Sequence, residues 1–286
     1  MLKRLRPLLG TFVEIAIAEP GSLSATQAEA AISAAFSCIE KIQQQLSFHD
    51  PASELSRLNS APYEWHPLTK SSIQCLKLAR ALTRISAGKF NCTLGKQVVD
   101  KGALPPLKTN HPTLASGDWQ DLELSGKYAR LQRPVWITLD GIAKGFAVDS
   151  AIKTLQLLGV ASAWVNAGGD IRVYGSAILP ISVRDHRGFD HAMGGLQNAA
   201  IATSTSTYTE ETPGILLTAE GNAIKPATWT VIAQSAWRAD ALTKVAANTP
   251  PAIRSEYIRP LGGRWVPLPG DSHTNTATFS TQQLSE

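Results

Sequence analysis

The chain has 286 residues, 43% of them apolar and 17% charged, with a formal net charge of +4. It is long enough to bury a large core, as one domain or as two lobes. Lysine and arginine are scattered apart from Lys3, Arg4 and Arg6, and no apolar run reaches the roughly 18 residues of a membrane span, so neither a nucleic-acid surface nor membrane insertion is expected.

Cys38, Cys75 and Cys92 have neither metal nor redox spacing and read as small core residues in a reducing compartment. The basic start followed by Pro7-Leu8-Leu9 mimics a signal peptide only briefly. Gly10 and Glu14 interrupt the apolar run, so a cytoplasmic location is expected and the first residues read as a solvated end.

Leu9 to Ala18 predicts a strand. A helix follows over 24–46, its buried stripe running Ala28, Ala31, Ile32, Ala35, Phe36, Ile39, Ile42 and Leu46. The chain leaves it through Asp50-Pro51 into a short helix capped by Ser53. His49, beside Phe48, reads by itself as a surface or packing histidine. A second amphipathic helix covers 70–86 with Cys75, Leu78, Ala79, Leu82 and Ile85 inward, and Gly88 ends it before a loop carrying Lys89, Phe90 and Asn91. Residues 104–119 form an exposed connection, and Leu122–Leu124 with Tyr128–Leu131 form a hairpin.

Residues 135–175 hold the densest signals. Val135-Trp136-Ile137 reads as a short strand, and Gly141 and Gly145 bound a turn that opens a helix. Val148, Ala151, Ile152, Leu155 and Leu158 face inward on that helix, with Asp149, Lys153 and Gln156 on the opposite face and Gly159 at its end. Glycines allow close backbone approach and the first N–H groups of a helix attract anions, so Asp140 to Gly145 is a candidate phosphate or diphosphate cradle. The turn matches neither GxGxxG nor GxxxxGK[ST], and plain structural punctuation remains the alternative. A strand over Ala163–Val165 then runs into Asn166-Ala167-Gly168-Gly169-Asp170, where the glycine pair suggests a bulge or close backbone approach. Strands over 179–184, 197–208 and 228–234 follow, the second bearing Thr203-Ser204-Thr205. A helix over 236–247 comes next, and a polar, frayed tail is expected from Gly270.

Seven segments occur in one order: Leu9-Gly10-Thr11, LSFHDPASELSRLN at 46–59, GKFNCTLG at 88–95, DGIAKGFAVD at 140–149, NAGGDIRVYG at 166–175, ATSTSTY at 202–208 and ADALTK at 239–244. Together they resemble the ApbE family, the FAD:protein FMN transferases, over about Leu9 to Asn248. The resemblance implies an α+β fold of mixed and antiparallel sheets with packed helices, one domain of two lobes over 1–269 and a tail over 270–286. It implies FAD held between the lobes with Mg²⁺ at its diphosphate. FMN would pass to a threonine hydroxyl of a target flavoprotein with release of AMP; some members mainly hydrolyse FAD.

Carried onto this sequence, the resemblance implies flavin or nucleotide contacts from Leu9, His49 (or neighbouring Phe48), Lys89, Phe90, Asn91, Thr138, Asp140, Lys144 and Thr203. It implies a metal held by the Gly141 carbonyl, the Asp240 carboxylate and the Thr243 carbonyl, with Lys144, Asp240 and Lys244 as the catalytic set. A hard cation bridging carboxylate and phosphate oxygens, beside a lysine at a glycine turn, would stabilise charge developing on a diphosphate. The sequence departs from the family pattern at three places. Thr138 stands where the family has an aspartate, Lys244 where it has a threonine, and Leu216 to Glu220 replaces its His-x-x-Asp-Pro segment. Lys244 either takes over part of the metal's electrostatic role or marks a flavin-binding protein without efficient turnover.

Overall fold

A computed structural model describes residues 1–109, 111–207, 216–218 and 221–268. In chain order the first half runs β1 (Leu2–Leu8), β2 (Thr11–Glu19), α1 (Ala25–Leu46), α2 (Glu54–Ser60), β3 (His66–Pro67), α3 (Lys70–Ile85), α4 (Gly95–Asp100), β4 (Leu122–Ser125) and β5 (Tyr128–Leu131). The second half runs α5 (Ala143–Leu157), β6 (Ser162–Ala167), β7 (Asp170–Tyr174), β8 (Leu179–Arg184), β9 (Asp190–Leu196), β10 (Ala200–Ser206), β11 (Ala227–Ala233), α6 (Ala236–Ala247), α7 (Arg254–Ile258) and β12 (Gly263–Val266). Two compact units result. The first comprises Met1–Glu40, Lys144–Thr205 and Ala227–Glu286; the second comprises Lys41–Ala143 and Ser206–Pro226.

The first unit is built on a seven-stranded sheet of order β1-β2-β6-β7-β10-β11-β12. The basic start is not a loose end. Leu2 to Leu8 pairs in full antiparallel register with Ile17 to Thr11, and Leu9 takes a left-handed φ of 56° at the turn. Lys3, Arg4 and Arg6 pair with Glu14, Glu29 and Glu40 along this edge strand, the sort of charged rim that discourages further strand addition. Helix α1 begins one residue after Ser24, whose hydroxyl accepts from Gln27 N–H while the Gln27 side chain accepts from Ser24 N–H, a reciprocal capping box.

Strands β6 and β7 join through Gly168-Gly169, both with positive φ (61° and 99°), in a two-residue hairpin that pairs Ala167 with Asp170. The glycine pair thus satisfies turn geometry without a bulge, and Gly168 also makes the close approach the sequence suggests, since a Cβ there would lie 2.7 Å from Thr11 Oγ1. Alternation along β7 then splits its side chains between two faces. Asp170 and Arg172 reach residues of α5, while Ile171 and Val173 join Trp164, Ile181, Val183 and Leu196 in an apolar cluster that includes the β8–β9 ribbon. Helix α6 lies against β7 and β11.

The second unit has the small sheet β3-β5-β4 and helices α2, α3 and α4. Ser53 caps α2 by accepting from Ser56 N–H, and α3 buries Ile73, Cys75, Leu76, Ala79 and Leu82. The run Val135–Ile137 is buried as its composition demands, but it forms no regular strand. Trp136 makes a single parallel bridge to Leu94, and the side-chain amide of Asn59 satisfies both backbone groups of Ile137 at 2.7 and 2.8 Å. Tyr208, part of the expected 197–208 strand, and the polar tail lie outside the described residues. Among those residues no helix is long and apolar enough to cross a membrane.

Candidate functional site

Four charged side chains of the first unit gather where the starts of α5 and β7 meet the body of α6. Lys144, in the first turn of α5, places its ammonium 2.9 Å from Asp170 Oδ2. Asp170 is only 2% exposed and owes its place to the Gly168-Gly169 hairpin immediately before it. Asp240, one turn into α6 and 1% exposed, accepts from Gly145 N–H at 3.3 Å through Oδ2 and pairs with Lys244 through Oδ1. Lys244 lies one helical turn further on and also donates to the Asp240 carbonyl at 3.1 Å. The Thr243 hydroxyl donates to that same carbonyl at 2.6 Å, which leaves Ser204 Oγ, also 2.6 Å away, to donate to Thr243.

The close approach of α5 to α6 explains Gly145. A Cβ there would stand 2.3 Å from the Ala236 carbonyl oxygen, so the missing side chain serves helix packing. Asp149 is not on a solvated face, as the helical pattern suggests. Its carboxylate accepts from Ala236 N–H and Trp237 N–H, both at 2.9 Å, and pairs with Arg172 at 3.1 Å. Ser235, at the N-cap position of α6, makes no side-chain cap bond, so the α5 aspartate takes that role. Asp149→Ala is expected to cost about 2 kcal/mol of stability in urea unfolding and to speed hydrogen exchange at Trp237 N–H.

Burial pushes the Asp170 carboxyl up to about 6, reinforced by the Asp240 charge and opposed by Lys144 and Lys244. An aspartate whose folded pKa exceeds its unfolded value of 3.8 gives its full stabilisation below that value and loses it as pH rises to about 6. Between pH 4 and 6 this group is therefore expected to make stability fall with pH by on the order of 3 kcal/mol, and Asp170→Asn to flatten that slope in urea titrations.

Thr203 is on the other face of the sheet, hydrogen-bonded to Thr230 at 3.0 Å. With Gly168, Gly169, Ile171, Ser182 and Thr205 it lines a hollow of about 250 Å³. In the second unit Phe90 is buried, and its N–H donates to Ser86 Oγ at 3.1 Å. The Asn91 amide is spent on its own loop, donating to the Gly117 carbonyl at 3.1 Å and accepting from Thr93 N–H and Oγ1 at 2.9 and 2.8 Å. Lys89 is half-buried and His49 exposed, while Phe48 is buried edge-to-face on Trp136. Thr138 N–H donates to the Cys92 carbonyl at 2.8 Å, and Thr138 Oγ1 accepts from Asp140 N–H at 3.4 Å. Asp140 is exposed and Gly141 half-buried in the turn before α5.

The structure thus brings Lys144, Asp240, Thr243 and Lys244 together and adds Asp170, Asp149 and Ser204, to which the sequence assigns no role at the site. Asp170 carries the one signal that could have found it, its position directly after the glycine pair. As folded, Asp240 does not suit a divalent cation. One of its carboxylate oxygens is taken by Gly145 N–H and the other by an ammonium, and its carbonyl is taken by Thr243 and Lys244. Among the described residues no three acidic, histidine or cysteine side chains converge as a metal site.

The fold is that of the solved flavinyl transferase ApbE from Pseudomonas stutzeri, with a TM-score of 0.75 at 22% identity over 90% of this chain and 87% of that one. The ApbE protein from Thermotoga maritima gives 0.77 at 24% identity over 92% of both chains. Residues 9–263 match the ApbE family, and the chain belongs to it. It is similar to the FAD:protein FMN transferases of Haemophilus influenzae, 26% identical over 59% of this chain, and Chlamydia pneumoniae, 30% identical over 58%. These alignments span 53% and 56% of the relatives' own lengths.

Proposed function

We propose that the chain is an FAD:protein FMN transferase, taking FAD and a target flavoprotein as substrates and passing FMN to a threonine hydroxyl of that target. The threonine oxygen loses its proton to the leaving phosphate or to solvent and forms the new bond to the FMN phosphorus, the phosphoanhydride bond breaks and AMP leaves. The observation that carries this reading is the meeting of two separate family segments, Lys144 in the first turn of α5 and Asp240 and Lys244 along α6, where the two helices pack. In this reading the Lys144 and Lys244 ammoniums face the charge that builds on the diphosphate oxygens, and Asp240 holds Lys244 in place. Leu9, His49, Lys89, Phe90, Asn91, Thr138, Asp140 and Thr203 are proposed to contact the dinucleotide. Magnesium, which the resemblance implies at Gly141, Asp240 and Thr243, forms no step here, because Asp240 already has its cation.

The test is incubation with FAD and a threonine-bearing target protein, followed by mass spectrometry for covalent FMN and chromatography for AMP. Flavinylated target with stoichiometric AMP supports the proposal. AMP with unmodified target would reassign the chain to FAD hydrolysis, and neither product with retained flavin would make it a flavin-binding protein. The pairing of Lys244 with Asp240 is the feature that favours that last reading should transfer fail.

A further inference from the structure

We propose that Lys244 is the resident cation of Asp240, a positive charge tethered to the chain that closes this carboxylate to divalent metal. The carboxylate is 1% exposed, and each of its oxygens is committed: Oδ2 to the Gly145 N–H at 3.3 Å, Oδ1 to the Lys244 ammonium. The ammonium is held twice, since it also donates to the main-chain carbonyl of Asp240 at 3.1 Å, and its side chain is only 18% exposed. Thr243 saturates that carbonyl from the other side. A metal ion wants about six oxygens, and each carboxylate oxygen of Asp240 already faces a donor, Oδ1 a full positive charge that repels a second cation.

To enter, the ion must expel the ammonium. That group would then lose its carboxylate partner in a partly buried place beside a second lysine, Lys144, which sits on Asp170 within the same cluster. Stripping a partly buried charge of its partner is among the costlier changes a site can suffer. The spacing also makes the arrangement self-contained. Residues 240 and 244 lie one turn apart on a 12-residue helix, so the pair forms as α6 forms and needs nothing from solution.

The probe is Mn²⁺, followed by water-proton relaxation and calorimetry on the whole chain without nucleotide. Wild type is expected to show no saturable binding below about 1 mM, the weak end of protein cation sites. Lys244→Ser, which frees Oδ1 and offers a hydroxyl, is expected to gain a site at least about tenfold tighter, and Asp240→Asn in that background to lose it again. Circular dichroism on each variant shows that α6 is intact. Wild-type Mn²⁺ binding abolished by Asp240→Asn would overturn the proposal, as would a folded Lys244→Ser variant that gains no site.

A second arm rests on the flavin-transferase reading. FAD binding, read by flavin fluorescence quenching, is expected to change by no more than about threefold between EDTA and Mg²⁺. A larger loss in EDTA would overturn the tethered-cation proposal. Failure to bind FAD under either condition would sink the transferase reading instead, leaving the Mn²⁺ result as an independent test.

Discussion

Asp240→Ala is expected to lower the unfolding free energy by about 3 kcal/mol, seen as a fall in the urea midpoint, because it strips Lys244 of its carboxylate and leaves Gly145 N–H without an acceptor. The larger part of that cost should come from the orphaned cation, not from the lost pair itself. Removing both charges tests this directly. In a double-mutant cycle, Asp240→Ala with Lys244→Met is expected to recover about 2 kcal/mol relative to the single aspartate variant.

Asp240→Asn gives a second, electrostatic readout. Asp170 is raised by burial first and by the Asp240 charge next. Removing that charge should move the Asp170 titration down from about 6, as followed by carbon NMR of the aspartate carboxyls. An unmoved titration would mean that the two carboxylates do not sense one another, and the cluster would dissolve into two unrelated ion pairs.

Helices α1, α3 and α5 were legible from their helical spacing of apolar residues, although Ile85 and Leu158, read as inward, are 58% and 45% exposed; α6 buries Ala239 to Thr243 consecutively, so it presents no single stripe. Strand β1 was not legible. Its pattern is basic residues on an edge strand, and what fixes it is an antiparallel partner and three glutamates up to 34 residues away. Strand β9, with Gly194 and Gly195 in the sequence DHAMGGL, has weak alternation of its own and owes its state to pairing with β8. Val135 to Ile137 misled in the opposite sense, since burial without a ladder looks the same in sequence as burial within one, and the Asn59 amide that replaces the ladder is 78 residues away.

At the site, sequence gave the residue types but not their partners. Lys144 and Asp170 are 26 residues apart, and Gly145 and Asp240 are 95 apart, so no local period relates them. Asp149 misled for a similar reason. On its own helix it sits opposite the apolar stripe, and only the arrival of α6 makes that a buried face. The pairing of Asp240 with Lys244 is the ion pair of this cluster that lies within one helical turn, four residues on, and it is not among the contacts expected from the sequence.

Gly145→Ala should therefore be the most disruptive single methyl in this cluster. A Cβ at that position would lie 2.3 Å from the Ala236 carbonyl oxygen, 2.5 Å from its carbonyl carbon and 2.7 Å from Trp237 Cα. All three are main-chain atoms of the α6 start, which cannot swing aside as a side chain would. The helices must separate, and separation pulls on three contacts at once: Gly145 N–H to Asp240, and Asp149 to the Ala236 and Trp237 amides. The expected cost is about 3 kcal/mol in urea unfolding, the upper part of the range for overpacking. Hydrogen exchange should localise the damage to the first turn of α6, with β1 and β2 protected as in wild type. A variant as stable as wild type would show that the α5 and α6 starts do not touch as described, and the convergence of Lys144 with Asp240 would lose its structural basis.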